Sequence, residues 1–182
     1  MSSTSSDRTS SGEQPEDSAT RAKNICLRLL TARPRTRSEL RDAVLRKGIE
    51  EEVVDLVLQR LDKVGLIDDA AFAEMWVRSR HNYSGMARRA LLTELRRKGV
   101  DDSIATEAAS AVDGAAEEER ARTLVRKKLR TSMGTDDTTR LRRLVGVLAR
   151  KGYPQGMAYR VVKEELRTEG QDSEILDELI PE

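Results

Sequence analysis

Cys26 and His81 are the only cysteine and the only histidine among 182 residues, so a zinc site, an internal disulfide and a His-based triad all lack the groups they need. Three acidic pairs, Asp68-Asp69, Asp101-Asp102 and Asp136-Asp137, suggest magnesium at first sight. Each stands where a helix is expected to begin, and capping is the reading that this position favours. The phosphate-cradling pattern Gly-x-x-x-x-Gly-Lys-Ser/Thr does not occur. No metal or cofactor is therefore expected, and an enzyme is disfavoured because no nucleophile and base come at a plausible spacing. Phe72 and Trp76, four residues apart, could stack on bases. Ala73 and Val77 share their stripe, and the chain has few other large side chains, which assigns both rings to the core.

Charge is what remains to carry function. Lys and Arg number 33 against 32 Asp and Glu, a formal net charge of +1. Segments 33–47, 78–98 and 120–151 nevertheless hold 24 Lys and Arg against 5 Asp and Glu, leaving 9 against 27 elsewhere. Two readings follow. The charges are solvated helix faces laced by i,i+4 pairs, or they form a long binding surface for an extended polyanion or an acidic protein groove. In the second reading the surface centres on Arg78, Arg80, Arg88, Arg89, Arg96, Arg97 and Lys98. Arg46 and Lys47 extend it on one side, and Arg126, Lys127, Lys128, Arg142, Arg143, Arg150 and Lys151 on the other.

The elements that must position these groups repeat three times. Arg46-Lys47-Gly48-Ile49, Arg97-Lys98-Gly99-Val100 and Arg150-Lys151-Gly152-Tyr153 are copies of one tetrad, with 51 residues from Gly48 to Gly99 and 53 from Gly99 to Gly152. Eight residues before each glycine stand Leu40, Leu91 and Leu144; four before stand Val44, Leu95 and Leu148; five after stand Val53, Ile104 and Met157. Such spacing predicts two helices meeting at a turn. Cations in a last helical turn complement the exposed carbonyls, and a glycine beyond them takes positive φ without strain, so each tetrad is a helix stop. Acids or proline follow directly and suit a new helix start.

A first helix precedes each pair, over Ala22 to Leu30, Phe72 to Val77 and Arg120 to Leu129, with Asp68 or Asp69 capping the second and Gly65 ending the helix before it. No segment alternates apolar and polar residues as a strand would. The expected fold is all-α, three tandem three-helix units forming an elongated curved array. Its divisions are a disordered tail at 1–20, repeats at 21–66, 67–114 and 115–169, and a tail or short helix at 170–182. With 37% apolar residues and five aromatic rings, the cores should be thin aliphatic seams. No stretch approaches a membrane span or a secretory leader, so a cytoplasmic protein is expected, and the scarcity of exposed apolar positions predicts a monomer.

One region, in three pieces, carries a resemblance. Ile67-Asp68-Asp69-Ala70-Ala71-Phe72-Ala73-Glu74-Met75-Trp76-Val77-Arg78-Ser79-Arg80, then Gly85, then Leu92-Thr93-Glu94-Leu95-Arg96-Arg97-Lys98-Gly99-Val100, resembles the RecX family, as does the array over residues 20 to 170. Asp68, Asp69, Phe72, Trp76, Gly85, Leu95 and the three tetrad glycines are its signature here. Met86 departs from it, since the family commonly has proline after the glycine, and this implies a softer turn. The resemblance implies a bacterial regulator of the RecA recombinase, not an enzyme. Such proteins bind along the groove of the RecA filament on DNA and inhibit strand exchange and ATP hydrolysis, restraining recombination and the SOS response. Direct DNA contact stays open. The competing class is a plain DNA-binding protein, a transcription or nucleoid factor using one helix pair as a helix-turn-helix.

Overall fold

The computed structural model describes residues 15–131 and 136–178, with side chains from 17 to 131 and from 136 to 170. Among the described residues the regular structure is nine α-helices and a single π-helical turn. The helices come in triplets: α1 (Pro15–Ala32), α2 (Arg37–Leu45) and α3 (Glu51–Lys63); α4 (Asp69–Ser79), α5 (Arg88–Arg97) and α6 (Asp102–Ser110); α7 (Gly114–Leu129), α8 (Asp137–Arg150) and α9 (Gln155–Glu178). The π turn, Arg80–Ser84, lies between α4 and α5. Two compact units result, one ending at Asp68 and one beginning at Asp69.

In the first unit, Ala22 and Cys26 of α1 meet Leu40 and Val44 of α2 and Val54 and Leu58 of α3, each with no exposed surface. Thr36 starts α2 as half of a reciprocal cap: its hydroxyl accepts from the Glu39 amide at 3.1 Å, and the Glu39 carboxylate accepts from the Thr36 amide at 3.3 Å. α1 begins at Pro15, inside the stretch where a structureless tail is expected. Proline at a first helical position loses no bond the helix needs, and Asp17 suits the positive end of the helix dipole. The rest of that expected tail, 1–14, lies outside the described residues.

The second unit holds two seams. Phe72, Ala73, Val77, Leu91, Leu95, Ala105 and Ala108 pack α4, α5 and α6. Ala121, Val125, Leu144, Leu148, Ala158, Val161 and Val162 pack α7, α8 and α9. The tetrad glycines have φ of +75°, +74° and +88°; α5 and α8 carry the expected cations in their last turns, whereas α2 stops at Leu45 with Arg46 as its cap. Asp101 caps α6 through the Ser103 amide at 2.8 Å, Asp113 caps α7 through the Ala116 amide at 2.8 Å, and Asp136 caps α8 through the Thr139 amide at 3.0 Å. Bonds from the Ser103 and Thr139 side chains, followed by those backbone amides, hold the carboxyls of Asp101 and Asp136 below the usual range. α9 runs unbroken to Glu178, through the stretch where a tail or short helix is expected from 170; residues 179–182 lie outside the described residues.

Candidate functional site

The second and third repeats are clasped together within the second unit. The Ala87 amide donates to the Lys151 carbonyl at 2.9 Å, and the buried Tyr153 hydroxyl donates to the Gly85 carbonyl at 3.1 Å. The Lys151 ammonium reaches the Ser84 carbonyl, the Arg120 guanidinium reaches the Asn82 carbonyl, and Glu117, itself buried, accepts from the Arg88 amide at 2.7 Å. Burial, followed by the Glu117 charge, pushes the Tyr153 phenol up to about 12. Two glycines permit this approach. A Cβ at Gly152 would lie 2.6 Å from the Ala90 Cβ and 2.8 Å from its backbone nitrogen, and one at Gly85, where φ is +62°, would lie 2.7 Å from a Leu124 methyl.

Beside the clasp lies a groove of about 470 Å³ bounded by Arg89, Thr93 and Arg97 of α5 and by Arg150, Gly152 and Tyr153. Arg89, Thr93 and Arg97 are spaced four apart and so share one helix face. All three arginines are exposed, and none makes an ion pair among the described residues. The groove is a trough with these three cations and one carboxylate, Glu94, which the Trp76 indole and Arg80 already engage.

The other cations have mixed placements. Arg46, Lys47, Arg78, Arg88, Lys127, Lys128, Arg142 and Arg143 are also exposed. Arg96 pairs with Asp102. Arg126 grips Glu165 with two bonds of 2.7 and 2.9 Å, and Lys151 is spent on the clasp. Arg80 lies 4.4 Å above the Trp76 ring centroid and 3.4 Å from the Glu94 carboxylate, while the Lys98 ammonium lies 4.3 Å from the same ring. Arg122, which the charge count includes but the expected basic face does not name, contacts Glu118 and Glu164 at 2.6 Å, and these partners raise its guanidinium pKa. The acids of α9 thus neutralise cations of α7 and α8 within their own repeat, with Arg140 also meeting Glu169. The first repeat does likewise, with Arg41 on Asp55 and Glu51 and Arg37 on Asp62.

Trp76 packs at the edge of the core expected to hold it. Phe72 is buried, but Trp76 is only half-buried, stacked on Phe72 at 5.5 Å and donating its indole N–H to Glu94 at 2.8 Å. With one face on Phe72 and cations over the ring, it fastens α4 to α5. Sequence reasoning passes over Glu117, Glu165 and Tyr153. Buried acids carry no marker in a sequence this rich in charge, but a tyrosine standing where the other tetrads have Ile49 and Val100 was a signal. Met86, in the place of the family's proline, donates its amide to the Arg80 carbonyl at 3.2 Å, a bond that proline lacks.

Family models describe three successive RecX domains of three helices each, and they match residues 22–61, 68–108 and 116–162. The chain belongs to the RecX family. It is 54% identical to the regulatory protein RecX of Amycolatopsis mediterranei over 91% of this chain and 95% of that one. It is also 54% identical to that of Streptomyces lividans, over 95% and 92%. A crystal structure of RecX from Lactobacillus salivarius superimposes with a TM-score of 0.72 at 26% identity, covering 82% of this chain and 97% of that chain. The RecX family is a family of regulatory proteins and not of enzymes, and here its three domains coincide with the three helix triplets.

Proposed function

We propose that this RecX-family chain binds the RecA filament assembled on DNA and restrains its strand exchange and ATP hydrolysis, with the α5–α8 groove as a principal contact. The observation that carries the reading is the trough itself. Arg89, Arg97 and Arg150 stand open on a frame that the Tyr153 and Lys151 clasp holds in place, so an acidic surface would meet preordered cations at small entropic cost. The same reading makes the chain a cytoplasmic, monomeric modulator of recombination and of the SOS response. A helix-turn-helix factor fits less well, because α3 and α6 open on Glu51-Glu52 and Asp102, which would repel phosphates.

The test is DNA-dependent ATP hydrolysis by RecA in the presence of wild type and of the triple variant Arg89→Ala/Arg97→Ala/Arg150→Ala. The variant should keep its helical circular dichroism, since exposed substitutions typically shift stability by less than about 0.5 kcal/mol each. It should also inhibit more weakly, and the wild type should prefer filament to bare DNA as salt rises. A folded triple variant that inhibits as wild type would refute the groove, and a wild type with no preference for filament would refute the target.

A further inference from the structure

Tyr83, in the π turn, is 88% exposed, more than any other large apolar side chain among the described residues. Its backbone is held far more tightly than its ring. The carbonyls of Asn82, Ser84 and Gly85 are taken by Arg120, Lys151 and Tyr153. The Gly85 amide donates to the His81 carbonyl at 3.0 Å and the Met86 amide to the Arg80 carbonyl at 3.2 Å. The turn is therefore pinned on both sides of Tyr83 from within the fold, while the ring stands in solvent. π-helical turns of this kind are uncommon and concentrate at functional sites.

The surroundings decide what such a ring could meet. Its neighbours Asn82 and Ser84 are polar, and Arg120 and Lys151 bond to neutral carbonyls, which leaves their positive charge beside the turn. A hot spot for a protein partner sits at the well-packed, water-excluding centre of a patch, and Asn82 and Ser84 on either side of this ring supply no apolar surface to build one. A preordered aromatic face flanked by Arg120 and Lys151, with the one carboxylate of the clasp, Glu117, buried beneath them, instead matches the way proteins hold unpaired nucleic acid, with bases stacked on rings and phosphates on cations. Duplex bases hide their faces in the stack. We propose that Tyr83 stacks on an unpaired base of single-stranded DNA, with Arg120 and Lys151 beside the flanking phosphates. This inference concerns bare DNA and stands or falls independently of the RecA reading.

Fluorescence anisotropy with a labelled oligothymidylate, and with an abasic strand of the same length, separates ring from charge. Tyr83→Ala should weaken oligothymidylate binding about 5- to 150-fold, the range that stacking of one base represents, and should leave abasic binding unchanged; Tyr83→Trp should bind oligothymidylate at least as well as wild type. The proposal is overturned if the alanine variant loses equally on both strands, if it loses on neither, or if its sole defect is toward a RecA filament, which would make the ring a protein contact. Failure of the wild type to bind oligothymidylate at low salt would overturn it as well.

Discussion

The first and third repeats turn out of their second helices through the same residues, Arg46-Lys47-Gly48 and Arg150-Lys151-Gly152, yet use them differently. Gly48 takes φ of +75° and has nothing within 4 Å of where a Cβ would stand; Gly152 takes φ of +88° and is pressed against Ala90. Lys47 is exposed, whereas Lys151 bonds the Ser84 carbonyl. The next residue is Ile49 in one case, an aliphatic core member, and Tyr153 in the other, whose hydroxyl crosses to Gly85. One helix stop thus serves as a turn alone or as a turn and a fastening. What differs is a neighbour at close range, which makes one glycine sterically necessary and the other merely convenient.

The largest break in this comparison should come from substituting the two glycines. Gly152→Ala adds a methyl against backbone as well as left-handed strain, and the loss should be about 2 to 5 kcal/mol. Gly48→Ala adds only the strain, about 1 to 2 kcal/mol. The single tryptophan and the single cysteine report on different repeats: Trp76 fluorescence follows the second, and reaction of the fully buried Cys26 thiol, whose pKa burial raises, follows the first. In denaturant melts the displacement of Trp76 emission by Gly152→Ala should exceed the displacement of Cys26 reactivity by Gly48→Ala. Equal displacements would mean that the 2.6 Å approach to Ala90 is relieved at no cost.

A second, smaller effect tests the tyrosine. Tyr153→Phe keeps the ring and orphans the Gly85 carbonyl, a loss of about 1 to 2 kcal/mol. The phenol ordinarily titrates near 10 and in the fold near 12, so the protonated form is the one the fold favours. That contribution is complete below pH 10 and disappears as pH rises to about 12, on the order of 2 kcal/mol over the window. Urea midpoints of wild type and Tyr153→Phe should therefore converge from pH 10 to 12. Parallel slopes would show that Tyr153 is not held neutral by its surroundings.

Positions counted from the tetrad glycines show how far such features can be read in advance. Eight and four residues before each glycine, Leu40, Val44, Leu91, Leu95, Leu144 and Leu148 are all buried, as their spacing requires. Beyond the glycine the expected Val53, Ile104 and Met157 are only partly buried, and full burial falls one residue later, on Val54, Ala105 and Ala158. Two of those three are alanines, which raise little hydrophobic signal but let helices approach closely. The helices, their caps and the tetrad turns were legible because each depends on residues near in sequence. The clasp was not, since its acceptors at Asn82, Ser84 and Gly85 are main-chain carbonyls that any residue carries. The basic face was legible only as composition: whether Arg126 binds a partner or Glu165 depends on where α9 lies.

The smallest expected effect concerns the ion pairs, where the first and third repeats contrast again. In the third, Glu165 has 7% of its side chain exposed and receives both Arg126 and Arg122. In the first, Arg41 meets Asp55 and Glu51, whose side chains are 50% and 67% exposed. Water and salt screen the first-repeat cluster, and holding three mobile side chains together costs entropy that offsets most of the attraction. Arg41→Ala should therefore lower the urea midpoint only slightly at low ionic strength, and in about 1 M salt, where the screening length falls to about 3 Å, it should match wild type. Glu165→Ala should keep most of its defect at the same salt, because the site it empties is largely closed to solvent. If Arg41→Ala proved as costly as Glu165→Ala at high salt, exposure would not be what separates the two clusters, and the contrast between the repeats would reduce to the glycines and the tyrosine.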